Sequence, residues 1–587
     1  MRSVQGIEVV RTMDAFRWDE IHWNLWRVAD RSDLQPVIDS ARRVAREVVA
    51  LRSTASSKSD CEWTAEKASI LASLDSNGLT SILSSAYPSV CTPSALAVWE
   101  LAWVDGGVAT LSLSGSLAQM PIRDFGTVEQ QGRYLNNADR RHGALCLTEP
   151  PPGAGTDAMF LTGRIHVVDG LQKSEPVLEI HKRGRFISHM DFADFVVVAV
   201  QGSGNSVWGS CLVILEPGDT GNFDRGIRVR KLGHQSASTT NPIFDLTVPA
   251  SRIVGGYTMD DGVLVPNFDS RQLLEPAFRR TRAIMSLMTA SKLLSTVTPF
   301  VQFYNQTINA SEFWQPIVDV WAAGEAAASL GFSAVRISDE VDEQKNPPGN
   351  LLKEAAILSS AAKLFSSSST TSMLQRAASF SECTQKLMDA QIESLYLGPE
   401  ALQRRLLSVA MIDGEFLRTF QSWTEELEGL EQCLPLAGVH SLTAGMRFWH
   451  WTLLQLRQQM DLRGVRLFCD ARQGVTFPMA DGLCTLLAAR SLTLDLLELK
   501  KSGRYTSATA PELSLFSDLS IVASIRAAGS VGQICAALLF GYDGRFPVSA
   551  ATKSSFDELQ TRTNRSLAGV MAARDRVVHF LRAQHAG

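Results

Sequence analysis

The chain has 587 residues, of which 45% are hydrophobic and 20% charged, and 56 Lys plus Arg against 61 Asp plus Glu give a formal net charge of −5. At roughly 150 residues per domain this length implies about four modules, and a charge content below the roughly 25% usual in soluble domains implies that much of the surface is covered by other surfaces. The weak acidic balance excludes a general nucleic-acid footprint, and nine scattered cysteines without a CxxC pair argue against a zinc or disulfide framework and for a reducing compartment. No apolar run reaches the roughly 18 residues of a membrane span and the N-terminus lacks a signal-peptide core, so a cytoplasmic chain with no membrane or nucleic-acid partner is expected.

In chain order, residues 1 to about 140 read as helical. Leu34 to Val49 and Ala95 to Leu111 space their apolar residues at three- and four-residue steps, with the polar loop Ser53 to Asp60 between them. From about Leu145 to Gly256 the texture changes to short β-rich runs, such as Phe195 to Val200, Cys211 to Leu215 and Ile243 to Val248, each bounded by turn residues. They stand too close together to leave room for crossover helices, which predicts an antiparallel module and not a Rossmann sheet. Helical patterning returns after Leu273, clearest at Phe278 to Leu294, Ile317 to Leu330, Leu351 to Leu374 and Val439 to Leu462, with a charged loop at Asp339 to Asn350. A last helical block, Ala510 to Gln584, is broken at Gly541 to Pro547. There is no internal repeat.

The densest turn signal is Leu147 to Ala158, LTEPPPGAGTDA. Gly153 and Gly155 allow close backbone approach to a ligand, and Thr148, Thr156 and exposed amides could grip a polar ring edge or a phosphate; taken alone the segment is also an ordinary β-entry loop. In its context it resembles the TEPGAGSD-like loop that opens the middle domain of the acyl-CoA dehydrogenase family. It is preceded by WELAWVDGGVATLSLSGS and FGTVEQQGRYL (Trp99 to Leu135), which resemble the family's "ELA..D" helix and "FGT.EQ...YL" segment. Gly184 to Asp194 is similar to the "K.WITN…AD" strand, and Lys231 to Gly255 to the "KLG.R.S.T" stretch. Four motifs in the family's order cover about residues 30 to 490.

The resemblance implies a flavoprotein, with FAD between a β domain and a helical domain and an acyl chain against the flavin. By the same resemblance Thr148, next to Leu147, would meet the flavin edge, Thr156 takes the family's serine position, Phe186 replaces the tryptophan against the ring, and Ser188, after Ile187, replaces the threonine that hydrogen-bonds it. Without the companion motifs Phe186 reads as a core aromatic and Ser188 as a strand hydroxyl. An apolar wall with a few hydroxyls and amides suits hydride acceptance.

In the family a glutamate in a "YEGT" turn near the chain's end removes the α-proton, and the corresponding turn here is expected at Phe477 to Gly482, FPMADG, with Asp481 as base and Gly482 beside it. Nitroalkane oxidases, relatives on this fold, use an aspartate in a similar "YP..DG" turn. Asp481 also reads as an N-cap of a helix Leu483 to Lys500. The family's "R..FG" should fall near Tyr304 to Gln315, where only Gln315 matches the glutamine that follows, and the "GG.GY" pattern is reduced to Leu462 to Arg466.

The expected architecture is α+β of the acyl-CoA dehydrogenase type: an N-terminal helical domain (1–143), a central antiparallel β barrel or sandwich (144–257), a C-terminal helical bundle (270–500) and an additional helical tail (501–587). The expected chemistry is FAD-dependent α,β-desaturation of an acyl thioester, on CoA or a carrier protein, by a homodimer or homotetramer. Alternatives are a nitroalkane-oxidase-like oxidation without CoA and a degenerate binding or scaffold member.

Overall fold

The computed structural model describes residues 19–54, 63–85, 89–135, 141–150, 161–169, 175–203, 206–304, 311–378, 383–430, 438–461, 463–501, 511–541 and 549–583. Among the described residues seven α-helices come first: α1 (Asp19–Leu25), α2 (Gln35–Thr54), α3 (Ala65–Ser76), α4 (Cys91–Val104), α5 (Gly106–Leu113), α6 (Ser116–Phe125) and α7 (Val128–Tyr134). The single helix expected over Ala95 to Leu111 is broken at Asp105, whose extended backbone ends α4 and whose carboxylate accepts the Gly107 and Val108 N–H groups to start α5.

The strands follow: β1 (Gly143–Cys146), β2 (Arg164–Asp169), β3 (Val177–Arg183), β4 (Ile187–Ser188), β5 (Phe195–Gly202), β6 (Ser210–Leu215), β7 (Thr220–Arg228) and β8 (Thr239–Pro249), with a separate hairpin of β9 (Tyr257–Asp260) and β10 (Val263–Pro266). Strands β1 to β8 form one sheet in the order β1-β5-β2-β3-β8-β4, with β6 on β5 and β7 on β8. The expected antiparallel pairing is corrected at two places, because β5 runs parallel to both β1 and β2. A parallel pair needs a long return connection, and here the intervening strands β2 to β4 serve as that connection. Strand β5 is covered on both faces, which accounts for its unbroken apolar run: Val196, Val198 and Val200 face one buried cluster, and Phe195, Val197 and Ala199 face another.

The long helices are α8 (Ser270–Tyr304), α9 (Ser311–Glu343), α10 (Gly349–Ala377), α11 (Thr384–Glu393), α12 (Glu400–Ile412), α13 (Gly414–Leu430), α14 (Val439–Gln458), α15 (Gln473–Lys501), α16 (Pro511–Phe540), α17 (Ala550–Ser566) and α18 (Val570–Ala583). Helices α8, α9 and α10 pack on one another, and α8 also packs on α4, so the N-terminal helices and the bundle share one apolar core. Helix α16 packs on α9, α14, α15 and α18. By length and hydropathy Leu513–Phe540 could cross a membrane, and 56% of its most apolar window is buried within the fold.

The charged loop expected from Asp339 begins later, because α9 continues to Glu343. Asp339 is drawn into the core by its partners: it accepts the Cys91 and Thr92 N–H groups at 2.8 and 2.9 Å and the Thr92 hydroxyl at 2.6 Å. It thereby caps α4 from another helix. Asp339→Ala would strand these donors, and a loss of roughly 1–3 kcal/mol is expected in urea unfolding.

Candidate active site

Strand β1 ends at Cys146 and delivers Leu147 and Thr148 to the edge of the sheet. The next residue, Glu149, anchors them. Its buried carboxylate accepts the Thr162 and Gly163 N–H groups at 2.5 and 2.8 Å and pairs with the buried Lys182 ammonium at 2.5 Å, which also donates to the Leu147 and Ala199 carbonyls. Burial raises the Glu149 pKa, but Lys182 and these donors outweigh it and hold the carboxyl below its usual value.

Phe186, Ile187 and Ser188 lie next to this strand end. Arg185 N–H donates to the Thr148 carbonyl at 2.9 Å, and Gly184 permits the approach, since a Cβ there would stand 2.7 Å from Cys146 Sγ. Phe186 has φ +58°, is held by its N–H on Asn241 Oδ1 at 2.9 Å, and is 49% exposed with Arg185 stacked 4.5 Å from its ring centroid. Ile187 and Ser188 pair with Thr240 and Thr239 of β8. Thr148, Phe186 and Ser188 thus form one accessible edge with an aromatic face and two hydroxyl side chains. Gly153, Gly155 and Thr156 lie outside the described residues.

Behind this edge is a buried polar junction that the sequence reading did not identify. His189 N–H reaches the Ser238 carbonyl, and the same loop carries His234 into contact with three other elements. His234 N–H donates to Asp389 Oδ1 at 2.7 Å; Nε2 is 2.9 Å from Glu393 Oε1; Nδ1 is 2.8 Å from Thr110 Oγ1 and 3.2 Å from the Tyr396 hydroxyl. Burial, with Lys292 and Lys231 nearby, holds this imidazole well below its usual pKa, so it is neutral. The network then assigns Nε2–H as donor to Glu393 and Nδ1 as acceptor from Thr110. Lys292 pairs with Glu393, and Lys363 donates to the Glu393 carbonyl. Burial lowers both ammonium groups below the usual lysine value.

Asp481 and Gly482 are elsewhere. FPMADG is not a turn: α15 begins at Gln473, so Asp481 is a helix-interior residue and not an N-cap, and Pro478 lies inside the helix. Asp481 accepts from Arg404 Nε at 2.8 Å, and Arg404 also pairs with Glu400. Burial raises the Asp481 pKa and Arg404 opposes it, leaving a net upward shift. Gly482 is buried against the Trp449 indole, where a Cβ would sit 3.2 Å from the ring. Gln315, on α9, is engaged by the tail helix α18: it accepts from Arg574 at 3.2 Å and donates to Asp575 at 3.5 Å. Neither the Asp481 nor the Gln315 side chain shares a hydrogen bond with the Thr148–Phe186–Ser188 edge, and Gly482 has no side chain to offer.

The turn beside the junction is Tyr396-Leu397-Gly398-Pro399, with Leu397 at φ +56°. It shares Y-x-G with the YEGT turn and has leucine in the glutamate's place. The Y-x-G pattern is legible in the sequence, but leucine supplies no carboxylate to mark it as a base.

No family model matches the chain. Over 165 residues it is 34% identical to the short-chain-specific acyl-CoA dehydrogenase of Megasphaera elsdenii, an overlap of 27% of this chain and 41% of that one. The chain therefore spans about two fifths of the length of the curated relatives it matches. Among solved structures, an acyl-CoA dehydrogenase complexed with FAD from Bacillus anthracis matches with a TM-score of 0.70, covering 99% of this chain and 95% of that one at 16% identity. Podospora anserina nitroalkane oxidase matches with a TM-score of 0.54, covering 66% and 96% at 16% identity. The fold is that of the acyl-CoA dehydrogenases, as the order of motifs implied. The near-complete overlap with the Bacillus anthracis protein extends that likeness through the C-terminal tail.

Two outcomes follow from the junction and its neighbour. Lys292→Met leaves Glu393 buried without its cation and is expected to cost about 3–5 kcal/mol in urea unfolding, with Lys292→Met/Glu393→Gln recovering part of it. His189 is held at a pKa of about 3, chiefly by burial and then by His142, so as pH falls below about 6.5 the unfolded chain takes up this proton first. Its contribution to stability, complete above pH 6.5, should decline by about 1.4 kcal/mol per pH unit down to pH 3, and His189→Asn should remove that part of the slope.

Proposed function

We propose that the chain oxidises an acyl thioester with a bound FAD. The observation that carries this reading is the accessible edge of Thr148, Phe186 and Ser188, with Phe186 held at positive φ, on a fold shared with an FAD-complexed acyl-CoA dehydrogenase. The edge fits a flavin ring: an aromatic side chain to cover an apolar face, and hydroxyls at its rim. Leu147 would line the same edge, and Ile187, whose side chain is buried in the core of the sheet, would support it from within. The flavin would supply the hydride acceptor. The chain's own residues would hold the ring, exclude water and take the α-proton.

For that proton the candidate base is Asp481, whose upward-shifted carboxyl suits proton uptake but which must first leave Arg404. The pairing with Arg404 and the leucine at 397 favour a second reading, a degenerate member that keeps the cofactor edge and has lost the oxidation. Gln315 is engaged by α18 and Gly482 lies against the Trp449 indole, so these contacts lend neither residue, nor the neighbouring Asp481, support as a group at the ring.

Purified protein, reconstituted with FAD and titrated anaerobically, separates these possibilities. Bleaching of the flavin band by an acyl-CoA panel supports the oxidation. Bleaching by nitroalkanes alone redirects it to a CoA-independent oxidase, and flavin binding without bleaching by either supports the degenerate member. Failure to bind FAD overturns the proposal. Phe186→Ala is expected to weaken FAD binding without affecting folding, because the ring is half exposed. Asp481→Asn is expected to abolish bleaching with FAD still bound; unchanged bleaching removes Asp481 as base. A homodimer or homotetramer is part of the same reading and is tested by light scattering.

A further inference from the structure

On the outer face of the sheet, three neighbouring strands bring two histidines and two carboxylates together. His166 of β2 stands directly opposite Glu179 of β3, and His181, two residues along β3 and therefore on the same face, stands opposite Asp245 of β8. His166 Nε2 is 2.9 Å from Glu179 Oε2, and His181 Nε2 is 3.6 Å from the same oxygen. The ligand atoms of His166, Glu179 and His181 all lie within 4.8 Å of one another.

We propose that His166, Glu179 and His181 form a binding site for a borderline divalent cation of the zinc class, with Asp245 orienting His181. Zinc bonds of about 2.0–2.1 Å in a tetrahedron place neighbouring ligand atoms about 3.3 Å apart, a spacing bracketed by the two His–Glu distances. Asp245 Oδ1 lies 2.9 Å from His181 Nδ1, so it takes that N–H and leaves the Nε2 lone pair directed at the shared centre. This carboxylate–histidine arrangement fixes the tautomer a metal requires. Two imidazoles and one carboxylate leave the fourth position to water. The half-exposed ligands give the ion a path from solvent.

A second candidate cluster, Cys91, Asp339 and Asp342, is different in kind. Its carboxylates are already committed, Asp339 to the N-terminus of α4 and Asp342 to Arg279 and Arg280. Its thiol is pushed well above the usual range by burial and is not a ready thiolate.

The site would clamp the β2–β3 hairpin to β8. It is independent of the flavin reading. The test uses the full chain, stripped with a chelator and titrated with zinc in competition with a chromogenic chelator. One zinc per chain is expected, with affinity reduced at least about tenfold in His166→Gln and in His181→Gln, and by a smaller factor in Asp245→Asn. Cobalt substitution should give a d–d spectrum without a thiolate charge-transfer band, which excludes cysteine ligation. Zinc should raise the melting temperature of the native sequence and not that of the His166→Gln/His181→Gln double variant. Less than one zinc per chain, undiminished affinity in the double variant, or a thiolate band overturns the proposal and leaves a cross-strand hydrogen-bonded ladder.

Discussion

The three layers of this protein meet at one buried imidazole. His234 comes from the loop between β7 and β8, Thr110 from the N-terminal helices, Asp389 and Glu393 from α11 and Tyr396 from the turn that follows it. In a low-dielectric interior these groups satisfy one another, with Lys292 on Glu393 and Gln385 on Asp389, so the positions of the layers are coupled through a polar network as well as through apolar burial. The loop itself is braced by Lys231, which donates to the His234 and Ala237 carbonyls. Since the next residues of that loop pair with Ser188, the junction behind the sheet also fixes the edge in front of it.

The order of helical, β and helical segments was readable because each segment has a distinct apolar period and because the four motifs occur in sequence. The neighbourhood of Thr148, Phe186 and Ser188 was readable for the same reason. The base was harder to read. FPMADG contains proline and glycine and looks like a turn, yet Pro478 falls in the second turn of α15 and Gly482 packs tightly against the Trp449 ring. Tertiary packing overrides local propensity there. Lys292 and Glu393 sit within helical patterns, where a charged residue normally reads as a solvated face. Only the packing of α8, α11 and the His234 loop reveals that they face inward.

The clustering on the strand surface could not be read from composition. Cysteine spacing argued against metal frameworks, but His166, Glu179 and His181 are brought together by strand register, and cross-strand neighbours leave no fixed sequence interval. The charge content was more informative. Many of the charged residues are internal, including Glu149 with Lys182 and Glu393 with Lys292. A fifth of the chain is charged, and part of that charge is spent inside the fold.

Three glycines line the seam around His234. A methyl group on Gly107 would stand 2.9 Å from the Ser236 amide nitrogen, one on Gly233 would stand 2.6 Å from the Met388 and Asp389 backbone, and one on Gly106 would crowd Asp389, His234 and Lys292. The loop is therefore pressed main chain to main chain between α5 and α11. Such a seam has no slack for one layer to slide over another, so shear is blocked.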